Sequence, residues 1–313
     1  MTPLTLTLRR CPTQEVDLGR LTPDGLQAMD RPAIEQIKLT CGNRSLRLHE
    51  LFELQGEDTR VIRIRRACDK LYGVGMAMSF GSISVQGRAG DDVGRNMRGG
   101  MIAVRGSAGH GTGRGMCGGY IEVQANTGDF LGGAEAGALE GMSEGVIIVL
   151  GNAGARVGDR MRRGIIFVRG NSGDYCGSRM KGGTVLVLGQ SGCYPGIGMR
   201  RGTIVFARKP AEISATFNSC GVLKMEFLRL LFRQLSNSYR KLALLRDLGP
   251  EAERFSGDLA LGGKGELLVL HSALLEVVNK SSRAAPSART VSPGAKRRAS
   301  PEGASLKDET SNR

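Results

Sequence analysis

The stretch that decides the fold begins at Gly81 and reads GSISVQGRAGDDVGRNMRG; from Gly100 it starts again as GMIAVRGSAGHGTGRGMCG. The same frame returns at Gly119, Gly145, Gly164, Gly183 and Gly202, in steps of 19, 19, 26, 19, 19 and 19 residues. The long step is a seven-residue insertion, because Gly132 and Met142 are ten positions apart where the other copies have three. One apolar column holds Ile83, Ile102, Ile121, Ile147, Ile166 and Val185, and a second holds Val85, Val104, Val123, Val149, Val168 and Val187. A glycine column runs Gly94, Gly113, Gly132, Gly158, Gly177 and Gly196, and a methionine column runs Met97, Met116, Met142, Met161, Met180 and Met199. A degenerate copy with Ile62, Ile64, Gly73 and Met76 precedes them, and a fragment with Ile204 and Phe206 follows.

Each copy has one short segment with period-two alternation, which reads as a strand with Ile and Val inward. Its glycines mark sharp turns that need φ > 0. No copy has room for a helix, and a unit this small buries its apolar face only by stacking on its neighbours. The expected fold class is therefore an all-β solenoid: a right-handed parallel β-helix of about seven coils, with the methionines filling the interior near a corner. The hexapeptide Gly113-Arg114-Gly115-Met116-Cys117-Gly118 fits GxGxxG. The dinucleotide reading needs a helix after it, and here the next strand follows, so it reads as a coil corner.

Composition agrees. Gly accounts for 47 of 313 residues, about twice the usual ~7%. It shows no three-residue period, which excludes collagen. The formal charge is +14, which points to anionic partners. Aromatics make up only 4%, against a nucleic-acid binder that stacks bases. Seven cysteines without a CxxC read as free thiols in a reducing, cytoplasmic setting. The first residues lack the order of a signal peptide, and no apolar run nears ~18 residues, so no membrane span is expected.

Four regions follow. Residues 1–60 read as a small N-terminal α/β cap: Leu4, Leu6 and Leu8 alternate in a strand, Thr22-Pro23-Asp24 opens a short helix, and 36–40 and 46–48 are further strands. Residues 61–208 are the β-helix. Residues 209–280 pack on it with a helix over 221–246 and a strand over 266–270; Phe227, Leu228, Leu230, Leu231, Phe232 and Leu235 surround the helix, so it should be buried on more than one side. It is expected to cover much of the strand face that turns apolar late in the array, at Val146, Ile148, Leu150, Ile165, Phe167, Leu186 and Leu188, with partner protein over any remainder. Residues 281–313 read as a disordered basic tail.

No catalytic or metal-ligating set emerges. His49, His110 and His271 belong to different elements, Cys176 falls in a column of packed residues, and Asp91, Asp92, Asp129 and Asp174 read as solvated loop carboxylates. The one feature that suggests binding is a basic corner after the methionine column. Arg98, Arg162, Lys181 and Arg200 share one position, with Arg163 and Arg201 one place on and Arg160 and Arg179 one place before the methionine. It reads either as a solvated edge or as an anion-binding ladder.

The corners from Gly87 to Gly202, the longer third coil GDFLGGAEAGALEGM at 128–142, LHELFELQGE at 48–57 and FSGDLALGGKGELLVL at 255–270 together carry a resemblance. Over about residues 2–272 the chain resembles the C subunit of formylmethanofuran dehydrogenase and of the bacterial formyltransferase/hydrolase complex. The GXGXG β-helix of glutamate synthase is a broader relative and gives the alternative reading, a domain of an amidotransferase-like oxidoreductase. The resemblance implies a non-catalytic scaffold subunit in tetrahydromethanopterin-linked one-carbon metabolism. Its implied partners are an amidohydrolase-like A subunit, a B subunit and a formyltransferase-type D subunit. It implies no covalently bound cofactor, and it offers the poly-glutamate tail of methanofuran or methylofuran as a candidate ligand for Arg98, Arg162, Arg163, Lys181, Arg200 and Arg201.

Overall fold

The computed structural model describes residues 2–271. The expected tail at 281–313, and residues 272–280 of the C-terminal segment, lie outside them. The chain is mostly β, with a 13-stranded sheet, a 4-stranded sheet and few helices.

The N-terminal segment runs β1 (Pro3–Leu8), β2 (Val16–Asp17), α1 (Pro23–Leu26), α2 (Arg31–Glu35), β3 (Lys38–Cys41), β4 (Arg44–Arg47), α3 (Leu48–Leu51) and β5 (Phe52–Gln55). The side chain of Thr22 accepts from the Gly25 amide and caps α1, with Pro23 at its first position, as the sequence motif predicts. The strand expected at 46–48 ends earlier: Leu48 opens α3, where Glu50 reaches back to the Arg47 amide. Then come β6 (Asp58–Ala67), β7 (Leu71–Tyr72), β8 (Ser82–Gly87), β9 (Met101–Val104), β10 (Cys117–Val123), β11 (Glu144–Val149), β12 (Ile165–Val168), β13 (Thr184–Val187) and β14 (Arg201–Phe206). The GxGxxG hexapeptide thus runs into strand β10.

From β8 to β14 each strand pairs in parallel with the next, one repeat on. Ile83, Ile102, Ile121, Ile147, Ile166, Val185 and Ile204 therefore stack as partners, all fully buried. Each such side chain contributes roughly 1.5–3 kcal/mol of burial. Met97, Met116, Met142, Met161, Met180 and Met199 are buried to the same degree. In the degenerate copy the column is occupied by Met78 rather than Met76, because the Arg98 amide donates to the Met78 carbonyl one repeat earlier. The glycine column is left-handed, as at Gly94 and Gly113. Two further left-handed columns carry side chains, Asp92, Phe130, Arg156, Tyr175 and Tyr194 in one and Asn96, Arg160 and Arg179 in the other. The first forms a stack: Arg156 lies over both Phe130 and Tyr175, and Tyr175 stacks on Tyr194 at 6.0 Å.

The ladder extends past the repeat at both ends. Strand β1 pairs in parallel with β6, which places Leu4 and Leu6 on Ile62 and Ile64. Beyond β14 come β15 (Asn218–Lys224), α4 (Glu226–Ser238), a 3-10 segment (Arg240–Asp247), β16 (Glu251–Gly257), a second 3-10 turn (Leu259–Leu261) and β17 (Lys264–Leu270). Strand β17 adds in parallel to β14, and β16 and β15 follow antiparallel. The helix expected over 221–246 is thus shortened at both ends. Residues up to Lys224 are drawn into pairing with β16, and the chain tightens into a 3-10 segment after Tyr239.

The late apolar face is covered as expected. Ile148, Phe167, Leu186, Leu188 and Val205 form one buried cluster with Leu228, Phe232 and Leu235 of α4 and Leu242 and Leu245 of the 3-10 segment. The helix buries one side only, however: Phe227 is 40% and Leu230 67% exposed. The free-thiol reading also fails in part, because Cys11 and Cys68 form a disulfide that ties the loop after β1 to the end of β6.

Candidate functional site

The basic corner is built by main-chain hydrogen bonds that carry strand register through the turn. The amides of Arg162, Lys181 and Arg200 donate to the carbonyls of Met142, Met161 and Met180, at 2.9, 2.7 and 2.7 Å. These three side chains therefore leave consecutive rungs, a strand spacing of ~4.8 Å apart. Arg98 is not brought to them. Cys117 and Ser143 occupy the same position on the two intervening rungs, their amides on Met97 and Met116.

The insertion in the third coil, which the repeat marks only as extra length, changes the charge of this corner. Glu140 accepts from Arg162 at 3.1 Å and from Lys181 at 3.3 Å. Arg160 donates to the Ala138 carbonyl of the same insertion. At its other side Glu135 takes Arg95 at 2.8 and 2.9 Å. Arg179 is held by Asp159, a buried carboxylate that also accepts from Ser178 at 2.6 Å. The guanidiniums of Arg98, Arg163, Arg200 and Arg201, all exposed residues, have no hydrogen-bond or ion-pair partner among the described residues. Arg201 pairs in the sheet with Lys264 of β17, which adds a cation to the last rung. Lys264 lies outside the repeat, so no column points to it. The cationic ladder read from the sequence thus divides: Arg162 and Lys181 share one internal carboxylate, while Arg163 beside them and Arg200, Arg201 and Lys264 at the last rung stay open.

The Lys181 ammonium, with the Arg162 guanidinium beside it, holds the Glu140 carboxyl below the usual carboxylate range. A depressed value means the contacts are present above the ordinary pKa of ~4.3 and are lost as pH falls through the lowered one. Side-chain carboxyl NMR is expected to give Glu140 a midpoint below ~4.3, and Lys181→Ala to raise it. A midpoint indifferent to Lys181 would remove the bridge.

The other candidates resolve structurally. Asp91, Asp129 and Asp174 are not merely solvated: each accepts the main-chain N–H of the residue one repeat on, His110, Ala155 and Cys193, at 2.8 Å. His110 does the same in this column, its Nδ1 accepting from the Asp129 amide at 3.0 Å. His49 Nδ1 lies 3.0 Å from the Glu35 carbonyl. Burial pushes the Cys176 thiol up to about 12, which suits a packed side chain and not a nucleophile.

The GXGXG motif model matches residues 59–229, more than half of the chain. Against the solved formyltransferase/hydrolase complex from Methylorubrum extorquens in complex with methylofuran, the chain is 36% identical to one chain. The match covers 85% of this chain and 99% of that one, with a TM-score of 0.79. The chain belongs to the GXGXG family, and within it to the family of formylmethanofuran dehydrogenase C subunits. Two curated relatives, both the C subunit of tungsten-containing formylmethanofuran dehydrogenase 2 from Methanococcus maripaludis, are 32% identical over 92 residues and 31% over 96. The chain spans about a third of their length, 34% and 35%, and those stretches are 29% and 30% of this chain. In this chain the repeat accounts for strands β8 to β14, and the basic corner lies where the chain enters β12, β13 and β14. No helix among the described residues is long and apolar enough to cross a membrane.

Proposed function

We propose that this chain is a non-catalytic scaffold subunit of a formyl-transfer complex that works with a methanofuran-type cofactor in tetrahydromethanopterin-linked one-carbon metabolism. The observation that carries the proposal is the likeness to nearly the whole of one chain of the formyltransferase/hydrolase complex. Its partners in this reading are A, B and D subunits in the cytoplasm, and they supply the metal and catalytic groups. The scaffold is a right-handed β-solenoid of about seven coils. Support for coiling comes from a second line of parallel bridges, Ala153 to Ser172 and Ser172 to Ser191, and from corner hydrogen bonds one repeat apart away from the main sheet.

The unpaired part of the basic corner is the anion site. Arg163, Arg200, Arg201 and Lys264 are unopposed where Arg162 and Lys181 are already paired with Glu140, so repeated carboxylates of a poly-glutamate tail meet free guanidiniums there. The test is an Arg163→Ala, Arg200→Ala, Arg201→Ala triple variant in the co-purified complex. The exposed side chains leave folding and assembly intact, while cofactor retention falls by about tenfold at low salt and loses its salt sensitivity. Unchanged retention and salt dependence would leave the corner a solvated edge.

A further inference from the structure

We propose that Cys11 is a thiol–disulfide exchange site for a small carboxylate-bearing thiol of the glutathione type. Three observations meet at this point, at the end opposite β17. First, Cys11 is disulfide-bonded to Cys68 and is exposed, whereas Cys68 is buried, so an incoming thiolate reaches the Cys11 sulfur and not its partner. Second, Cys11 lines a cavity of about 640 Å³ together with Arg10, Gln14, Cys41, Arg44 and Glu50, within the size range of small-molecule sites. Third, the guanidiniums of Arg10 and Arg44 have no partner among the described residues, while Glu50 is engaged by the Arg47 amide. The cavity therefore offers two free cations beside an attackable sulfur. That combination selects a thiol that carries carboxylates over a neutral one.

The exchange balances in two steps. The thiolate attacks Cys11 Sγ, a mixed disulfide forms, and the Cys68 sulfur leaves with the electron pair and takes a proton from water. A second small thiol then attacks the small-thiol sulfur of the mixed disulfide and releases Cys11 as a thiolate. The protein disulfide gains two electrons, and two small thiols become one symmetric disulfide. Because Cys11 follows β1 and Cys68 follows β6, exchange releases a clip across 57 residues between the N-terminal loop and the first long strand of the ladder.

The oxidised full-length chain is incubated with glutathione or with 2-mercaptoethanol, matched for thiolate, then acid-quenched and mapped by peptide mass. The expected adduct is on Cys11, and it is retained in Cys41→Ser. In an Arg10→Ala, Arg44→Ala variant glutathione should react about tenfold more slowly, as should the native chain at high salt, while 2-mercaptoethanol, whose thiolate carries no carboxylate, slows far less. An adduct mapping to Cys68 or Cys41 would overturn the proposal, as would a glutathione advantage that survives loss of both arginines. Cys11, Cys68 and Asp69 also present ligand atoms within 4.8 Å of one another. Isolation of the chain with zinc bound by unpaired thiols there would overturn it equally.

Discussion

Phe167→Asp is expected to abolish a stable fold. Phe167 is fully buried, paired in the sheet with Ile148 on one side and Leu186 on the other, in the cluster that Leu228 and Phe232 of α4 complete. Removing a buried Phe side chain costs about 3–5 kcal/mol. The carboxylate put in its place would stand against Ile148, Leu186, Leu228 and Phe232, none of which can hydrogen-bond it, and that adds a further penalty of a few kcal/mol. The sum is comparable to the ~5–15 kcal/mol that separates a folded domain from its unfolded chain. Ser84 occupies the same column three strands before Ile148 and is only half-buried, so Ser84→Asp should change the urea midpoint little. A Phe167→Asp midpoint close to that of the native chain would mean that α4 does not seat on this face.

Gly113→Ala is expected to cost about 3 kcal/mol, although it adds one methyl group. Gly113 has φ +67, and a Cβ there would lie 2.3 Å from Ile147 Cδ1, two copies on in the repeat. Ile147 is fully buried with strand partners on both sides, so it has nowhere to retreat. Gly137 sits in the insertion with φ +80 and nothing within 4 Å of the corresponding point. Gly137→Ala therefore bears only the conformational penalty of about 1 kcal/mol, and the difference between the two denaturation midpoints measures the packing part. Equal losses at the two sites would show that the column is glycine for turn geometry alone.

The repeat made most of the ladder legible. A strand that pairs with its own copy 19 residues on writes its identity and its partner into the same periodicity, so Ile121 points to both Ile102 and Ile147. The inward Ile, Val and Met columns and the left-handed glycines follow from that rule, and so does the switch of the outward face to apolar at Ile148. The candidate site was legible only in part. The column of Arg162, Lys181 and Arg200 could be read, but its charge could not. Glu140 has no counterpart in other copies, and Lys264 reaches the rim only because β17 pairs with β14.

The same limit separates the rest. The sequence by itself determined a stacked parallel ladder with a buried Ile/Val/Met interior and a helix to cover its late apolar face. Tertiary structure alone decided that residues 221–224 leave the expected helix for an antiparallel strand and that α4 leaves Phe227 and Leu230 exposed. It also decided that β1 and β17 lengthen the ladder at its two ends and that Cys11 finds Cys68. These contacts join elements that occur once. Their partners are set by which sheet edge or apolar face is left unsatisfied after the ladder has formed, and no sequence period records that competition.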